Sequence, residues 1–160
     1  MTVALRINHV AVNAIDLERS VAFYETLFGM ERIPTYTFAF PTQFLRLGDV
    51  QLHVFERPGA ATKFHHFALE VDDIQGLYMR ARELGLLDGE AFFSPIYELP
   101  DGAVQLYIRD PAGNLIEIDA PDASLLDRAV VGEIPRLAEA VAQEARARGA
   151  TLFHAAGAGA

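Results

Sequence analysis

Two histidines and one glutamate have the residue types and the spacing that a divalent metal site requires. His9 lies in the segment INHVAV, His66 lies at the matching position of the later segment FHHFAL, and Glu117 lies in LIEI. Two imidazoles and one carboxylate bind Fe(II), Mn, Co, Ni or Zn and leave coordination positions open. We therefore interpret His9, His66 and Glu117 as candidate metal ligands. The open positions would accept a small molecule through two neighbouring oxygens.

An internal repeat provides the elements that would position these side chains. The stretch INHVAVNAIDLERS aligns with FHHFALEVDDIQGL, which pairs His9 with His66 and Asp16 with Asp73. Each copy predicts a short strand followed by a helix with an aspartate N-cap. The helices are predicted over LERSVAFYETLF and IQGLYMRAREL, each followed by a glycine suited to a left-handed C-cap.

Three extended segments follow each predicted helix. They are YTFAF, FLRL and VQLHVFE in the first copy, and AFFSPIYEL, VQLYIR and LIEID in the second. PDG and DPAG read as hairpin turns. The pattern predicts an α+β fold with two βαβββ modules, at about residues 5–58 and 63–120, within one domain of residues 1–121. Neither module alone is long enough to bury a sufficient core.

Side-chain alternation separates the two faces of the predicted strands. One face of each strand is aliphatic and suits packing under the helices. The opposite faces collect His9, Gln51, His53, His66, Gln105, Tyr107 and Glu117. Such a polar face either contacts solvent or, if the modules curl toward one another, lines a cavity.

Residues 122–160 have no counterpart in the first copy. DASLLDRAVVGEIPRLAEAVAQEARARGA is alanine-rich with a helical pattern, so we expect a helical extension. The final AAGAGA is of low complexity, and we expect it to be frayed.

Composition excludes several classes of function. The 160 residues carry 22 acids against 13 bases, for a net charge of −9, which disfavours nucleic acid and anionic membranes as partners. The chain has no cysteine, so disulfides and thiolate metal sites are excluded. The N-terminus does not read as a signal peptide, and no run of apolar residues is long enough to span a membrane. We expect a soluble cytoplasmic protein.

The chain resembles the vicinal oxygen chelate superfamily, also called the glyoxalase/bleomycin resistance/dioxygenase family, over about residues 5–120. The resemblance rests on INHVAV, HHFALEVDDI, VQLHVFE and LYIRDPAGNLIEI. It implies paired βαβββ modules that form a cupped mixed sheet with outer helices. It also implies a metal held by His9, His66 rather than the adjacent His65, and Glu117. A homodimer is expected.

Two further features point to different subfamilies. Gln51 matches the position at which glyoxalase I-like and epimerase-like members carry a fourth ligand, and His53 would be a proton-transfer group or an alternative ligand. LY-x-x-DP-x-G-x-x-x-E is similar to the extradiol dioxygenase signature, which implies that Tyr107 contacts the substrate or oxygen. A histidine that precedes the tyrosine in that signature is absent, since the chain has YELPDG.

Three functions follow from the resemblance. The favoured one is a metal-dependent enzyme acting on a small molecule with vicinal oxygens, leaning to ring cleavage by an Fe(II) extradiol dioxygenase with Tyr107 and His53 assisting. A glyoxalase- or epimerase-like isomerase or lyase is the first alternative. A metal-free, resistance-type binding protein is the second, and the retained ligand set argues against it.

Overall fold

The computed structural model describes residues 4–147 and 149–154. The elements in chain order are β1 (His9–Ala14), α1 (Leu17–Phe28), β2 (Glu31–Ile33), β3 (Thr42–Leu47), β4 (Val50–Glu56), β5 (His66–Glu70), α2 (Ile74–Glu83), β6 (Ile96–Glu98), β7 (Val104–Arg109), β8 (Leu115–Ala120), α3 (Arg128–Val131) and α4 (Leu137–Ala140). Short 3₁₀ turns cover Ala123–Leu125 and Ala145–Ala147. The predicted frayed end AAGAGA lies outside the described residues.

The strands form two four-stranded mixed sheets with the same order. They are β1-β4-β3-β2 and β5-β8-β7-β6. In each sheet the first-listed pair is parallel and the other pairs are antiparallel. The predicted α+β fold with two βαβββ repeats is therefore confirmed.

The described chain divides into two compact units. The first contains residues 4–62 together with Asp110–Asn114, and the second contains the described residues of 63–109 and 115–154. Each unit holds one sheet and the helix that follows its first strand.

The helix boundaries follow from local capping. The Asp16 side chain accepts a hydrogen bond from the Arg19 N–H at the start of α1, and Asp73 does the same for Gly76 in α2. α1 ends at Gly29, whose φ of 62° is in the left-handed region. Both predicted N-caps are confirmed because an aspartate satisfies a backbone N–H that the first turn leaves unpaired.

The predicted strand at YTFAF is wrong. β2 lies earlier, at Glu31–Ile33, and pairs with β3, while the residues between them up to Pro41 form no strand. Pro34 and Pro41 bracket this connection, and a proline has no N–H to donate to a sheet ladder. The alternating aromatic residues of this segment therefore lie on a loop.

The C-terminal extension contains helices, but they are short. α3 ends at Gly132, whose φ is 79°, and Pro135 prevents the helix from resuming at once. The carbonyl of Pro135 accepts a hydrogen bond from Glu98 in β6, so this segment adds to the edge of the second sheet. Among the described residues, no helix is long and apolar enough to cross a membrane.

The second sheet is buried on both faces along β7 and β8. Leu106, Ile116 and Ile118 form its aliphatic face. The opposite face is also buried and carries Gln105, Tyr107, Glu117 and Asp119. A polar face of this kind requires internal hydrogen bonds, because unpaired buried polar groups are costly.

Candidate functional site

His66 and Glu117 lie together in the second unit. His66 begins β5, Glu117 is in the middle of β8, and these strands are parallel neighbours. The His66 Nε2 atom is 3.2 Å from the Glu117 Oε2 atom. Two ligands bound about 2.1 Å from one ion at angles of 90–110° are separated by about 3.0–3.4 Å. The spacing of this pair therefore suits two neighbouring positions around a metal.

A hydrogen bond at Nδ1 orients the His66 ring, so that Nε2 faces Glu117. Nδ1 is 2.7 Å from the carbonyl oxygen of Phe64. Because a carbonyl only accepts hydrogen bonds, Nδ1 donates to Phe64, and Nε2 is the ring nitrogen that faces Glu117. A metal-binding histidine is oriented in the same way, by an N–H donated to a carbonyl or carboxylate.

Two donors hold the Glu117 carboxylate. The Tyr107 hydroxyl donates to Oε2 at 2.5 Å and the Gln105 amide donates to Oε1 at 2.6 Å. Burial and the neighbouring Glu117 carboxylate raise the pKa of Tyr107 far above its ordinary value, so the hydroxyl stays protonated. Tyr97 continues the network because its hydroxyl donates to the side-chain oxygen of Gln105, Oε1, at 2.8 Å. Glu117 is thus oriented as an acceptor, as a ligating carboxylate needs to be.

His9, Gln51 and His53 lie together in the first unit. β1 and β4 are parallel neighbours, and His9 lies opposite Gln51. The His53 ring stacks on His9 at 4.2 Å between centroids and on Phe44 at 3.6 Å. Burial and His9 lower the pKa of His53, so this ring is neutral near pH 7. His9 Nδ1 is 2.9 Å from the Asn8 side-chain oxygen, and because that oxygen only accepts, Nδ1 is the donor in this contact.

The His53 ring orients Gln51. Its Nε2 is 2.9 Å from the Gln51 Oε1 atom, and an amide oxygen only accepts, so Nε2 is the donor. The amide oxygen retains a second lone pair. In this arrangement His53 positions a candidate ligand, and the nitrogen that faces Gln51 carries a proton, so it does not act as a base there.

Each unit taken by itself presents two of the four predicted ligand side chains. These are His9 and Gln51 in the first and His66 and Glu117 in the second. Among the described residues, no three or more His, Asp or Glu side chains form a single metal-binding cluster. His65 precedes β5 and is exposed.

Three groups in the second unit were not singled out from the sequence. Asp119 shares the face of Glu117 on β8, and burial together with the Glu117 charge raises its pKa to about 7. Strand alternation was sufficient to place Asp119 there. Tyr97 belongs to the Glu117 network, and His154 contacts Glu70. No sequence signal indicates those contacts, because they join segments that are separate in the chain.

The sequence model of the Glyoxalase/Bleomycin resistance protein/Dioxygenase superfamily matches residues 6–118 of this chain. The chain belongs to this superfamily. It is 33% identical to the uncharacterized protein YwbC of Bacillus subtilis, over 71% of this chain and 96% of that one. It is 28% identical to the mitochondrial methylmalonyl-CoA epimerase of Bos taurus, over 71% and 73% of the two chains.

A solved structure is also similar to this chain. Oxidase ChaP-H2 is 27% identical, with a TM-score of 0.55, over 76% of this chain and 98% of that one. The proteins similar to this chain thus include both an epimerase and an oxidase. Membership establishes the fold, while the reaction depends on the site.

Proposed function

We propose that this superfamily member is a divalent-metal-dependent enzyme that moves a proton at a carbon next to a carbonyl group, as an isomerase, epimerase or lyase does. Its substrate is a small molecule with two neighbouring oxygens. The proposed ligands are His9, Gln51, His66 and Glu117. The observation that carries the proposal is the His66–Glu117 pair, whose Nε2 and Oε2 atoms lie 3.2 Å apart, the separation of two ligands at neighbouring positions around one ion.

The residues fit a metal by their chemistry. Imidazole, amide and carboxylate groups suit Fe(II), Mn, Co, Ni or Zn. When bound, the ion supplies Lewis acidity toward the two substrate oxygens. Tyr107 and Gln105 keep Glu117 oriented, while His53 keeps the Gln51 oxygen in place. These contacts support a pre-organised ligand set.

Two contacts favour proton transfer over ring cleavage. Gln51 lies opposite His9 across β1 and β4, which supports a fourth protein ligand. Tyr107 is only 1% exposed, and its hydroxyl donates a hydrogen bond to the Glu117 carboxylate. It therefore acts on the glutamate rather than on a substrate.

Ring cleavage by an Fe(II) dioxygenase is the second candidate. The similarity to oxidase ChaP-H2 and the turn-strand motif ending at Glu117 favour it. It requires the Tyr107 hydroxyl to leave Glu117 when substrate binds. A metal-free binding protein is the remaining candidate.

Metal analysis of protein purified without oxygen, followed by activity assays in deuterated water, separates these candidates. We expect one divalent ion per chain, and deuterium incorporation into methylmalonyl-CoA or into the hemithioacetal of methylglyoxal and glutathione without oxygen uptake. Oxygen consumption with catechols would replace the proposal by the dioxygenase. Protein that contains no stoichiometric metal and binds none would leave only the binding protein.

Substitution of the ligands tests the assignment. His66→Ala and Glu117→Ala should each lower metal affinity by at least about 100-fold, because each removes a ligand. His65→Ala is the matched control, since it removes an adjacent exposed imidazole. Isothermal titration with Zn²⁺ or Mn²⁺ measures the affinities. Equal loss of affinity in the His65 and His66 variants would contradict the ligand set.

We also propose that the protein is a homodimer. Leu5 and Ile7 are 95% and 72% exposed, and exposed apolar side chains of this kind favour association. Light scattering coupled to size exclusion should give twice the chain mass of 17.6 kDa. A mass equal to that of one chain across micromolar concentrations would refute this proposal.

A further inference from the structure

The described C-terminal segment ends with His154 against the second sheet. The His154 Nδ1 atom is 3.2 Å from the Glu70 Oε1 atom, and these side chains are only 16% and 24% exposed. Phe153 is fully exposed, while the residues on either side of it are partly buried. The segment therefore directs His154 toward β5. Because a carboxylate only accepts hydrogen bonds, Glu70 holds the proton on Nδ1.

The second nitrogen of His154 is buried without a protein partner. Nε2 has no hydrogen-bond partner among the described residues. Buried polar atoms in folded proteins are almost always paired, with protein, water or ligand. An oriented imidazole whose Nε2 atom is buried and unpaired is suited to form a hydrogen bond with a bound molecule.

His154 lies at the far end of the strand face that carries His66. His66, Ala68 and Glu70 point to the same side of β5, and Ala68 leaves only a methyl group between the two polar side chains. On β8, Glu117 lies opposite Ala68 and Asp119 lies opposite Glu70. At about 3.3 Å per residue, the Cα atoms of His66 and Glu70 are about 13 Å apart along the strand.

We propose that His154, Glu70 and Asp119 form a second subsite, which binds a hydroxyl or amine group at the distal end of the substrate. This inference rests on the proposed function for the chelating end at His66 and Glu117. The substrate would carry a hydrogen-bond donor up to about 13 Å from its two metal-binding oxygens, since this is the separation of His66 and Glu70 along the strand.

The charges of the subsite determine which groups it accepts. Glu70 and Asp119 are the acidic groups that face His154 in the second unit. Two carboxyl groups favour an O–H or N–H donor, and an ammonium group above all. The same carboxyl groups repel a second carboxylate or a phosphate.

Catechols with different side chains test the subsite, because they share one chelating head. Zn²⁺-loaded protein should bind dopamine and hydroxytyrosol about tenfold more tightly than 4-ethylcatechol, the gain expected from one buried hydrogen bond. It should bind 3,4-dihydroxyphenylpropionate more weakly than 4-ethylcatechol. Isothermal titration measures these affinities.

Variants of the C-terminal segment and β5 locate the preference. His154→Phe keeps a ring but removes both nitrogens, and it should abolish the preference for the amine while leaving the affinity for 4-ethylcatechol unchanged. Glu70→Gln keeps an oxygen acceptor for Nδ1 and should retain part of the preference. Phe153→Ala is the matched control, because Phe153 is exposed beside His154.

The outcomes separate this inference from the proposed function. If every catechol binds with equal affinity, or if the His154→Phe protein keeps the preference, the subsite is refuted while the metal site stands. If no catechol binds, the metal proposal fails, and tyramine then tests the subsite alone by nuclear magnetic resonance of the histidine rings. Tyramine should shift the His154 signals and not those of His65, and the absence of that shift would overturn the inference.

Discussion

At the scale of single residues, Glu117 shows how a buried carboxylate is accommodated. It is 6% exposed on a strand whose other face is aliphatic. Tyr107 lies directly opposite it on β7, and Gln105 lies two residues away on the same face. Both side chains donate to the carboxylate, which replaces the water lost on burial. The network therefore satisfies the glutamate and fixes the direction of its oxygens.

Removal of the Tyr107 hydroxyl tests whether this hydrogen bond orients the Glu117 carboxylate. Tyr107→Phe should lower metal affinity by about 10-fold, because Glu117 loses one of its two orienting donors. The metal titration described above measures the change. Tyr78→Phe is the control, since Tyr78 is a buried tyrosine on α2. Unchanged metal affinity in the Tyr107 variant would show that the hydroxyl does not orient a ligand.

At the scale of elements, the connection between α2 and β6 is attached to β7. Leu87 forms an isolated bridge with Ile108, and the Asp88 N–H donates to the Tyr107 carbonyl at 2.9 Å. The Asp88 carboxylate accepts from the Ala91 N–H and from the Arg109 Nε, at 2.9 and 2.7 Å. The segment thus holds its shape through one buried aspartate.

The stability of this connection should depend on pH. Burial alone would raise the pKa of Asp88, but hydrogen bonds from Arg109 and from the Ala91 N–H outweigh it and lower the pKa. A lowered folded-state pKa contributes stability that is present above the unfolded-state pKa, about 3.9, and is lost as pH falls through the folded value. Asp88→Asn should cost about 1–3 kcal/mol at pH 7 and progressively less below about pH 4.

Urea unfolding at a series of pH values measures this effect. Asp49→Asn is the matched control, because Asp49 pairs with Arg6 in an exposed ion pair, with the aspartate side chain 83% exposed. That change should cost less than about 0.5 kcal/mol. A cost for Asp88→Asn that stays constant from pH 7 to pH 3 would refute the linkage.

At the scale of the whole molecule, residues far apart in sequence complete the first unit. Asp110, in the turn between β7 and β8, accepts a hydrogen bond from the Tyr24 hydroxyl on α1 at 2.8 Å. Its second oxygen accepts from the backbone N–H groups of Ala112 and Asn114. Asn114 in turn donates to the Asn13 carbonyl on β1 at 2.8 Å. A short turn is therefore tied to a helix and a strand of the first repeat.

Removing the Tyr24 hydroxyl should weaken this connection. Tyr24→Phe leaves the buried Asp110 carboxylate without one of its donors, and we expect a loss of about 1–3 kcal/mol in the free energy of unfolding. Thermal and urea unfolding measure the loss. Tyr36→Phe, at an 80% exposed tyrosine, is the control and should be neutral. Equal stability of the two variants would contradict the role of the contact.

Several features of this protein were predictable from the sequence because they depend on local rules. Aspartate N-caps, the hairpin turns and the period-two alternation of β4, β7 and β8 each arise within a few residues. The internal repeat then predicts two modules of the same topology, and alternation places Glu117 and Asp119 on one face. The position of β2 was not predictable from the same rule, because the aromatic alternation of YTFAF lies between two prolines that exclude it from the sheet.

The sequence by itself therefore determined the family and, apart from β2, the strands of the two sheets and their faces, since these follow from residue type and spacing. Only the tertiary structure decided which partners those side chains have. In the folded protein, Tyr107 and Gln105 donate hydrogen bonds to Glu117, and His154 contacts Glu70, which lies 84 residues earlier in the chain. Such contacts depend on how strands pair and segments pack, because a hydrogen bond is set by distance in space rather than along the chain.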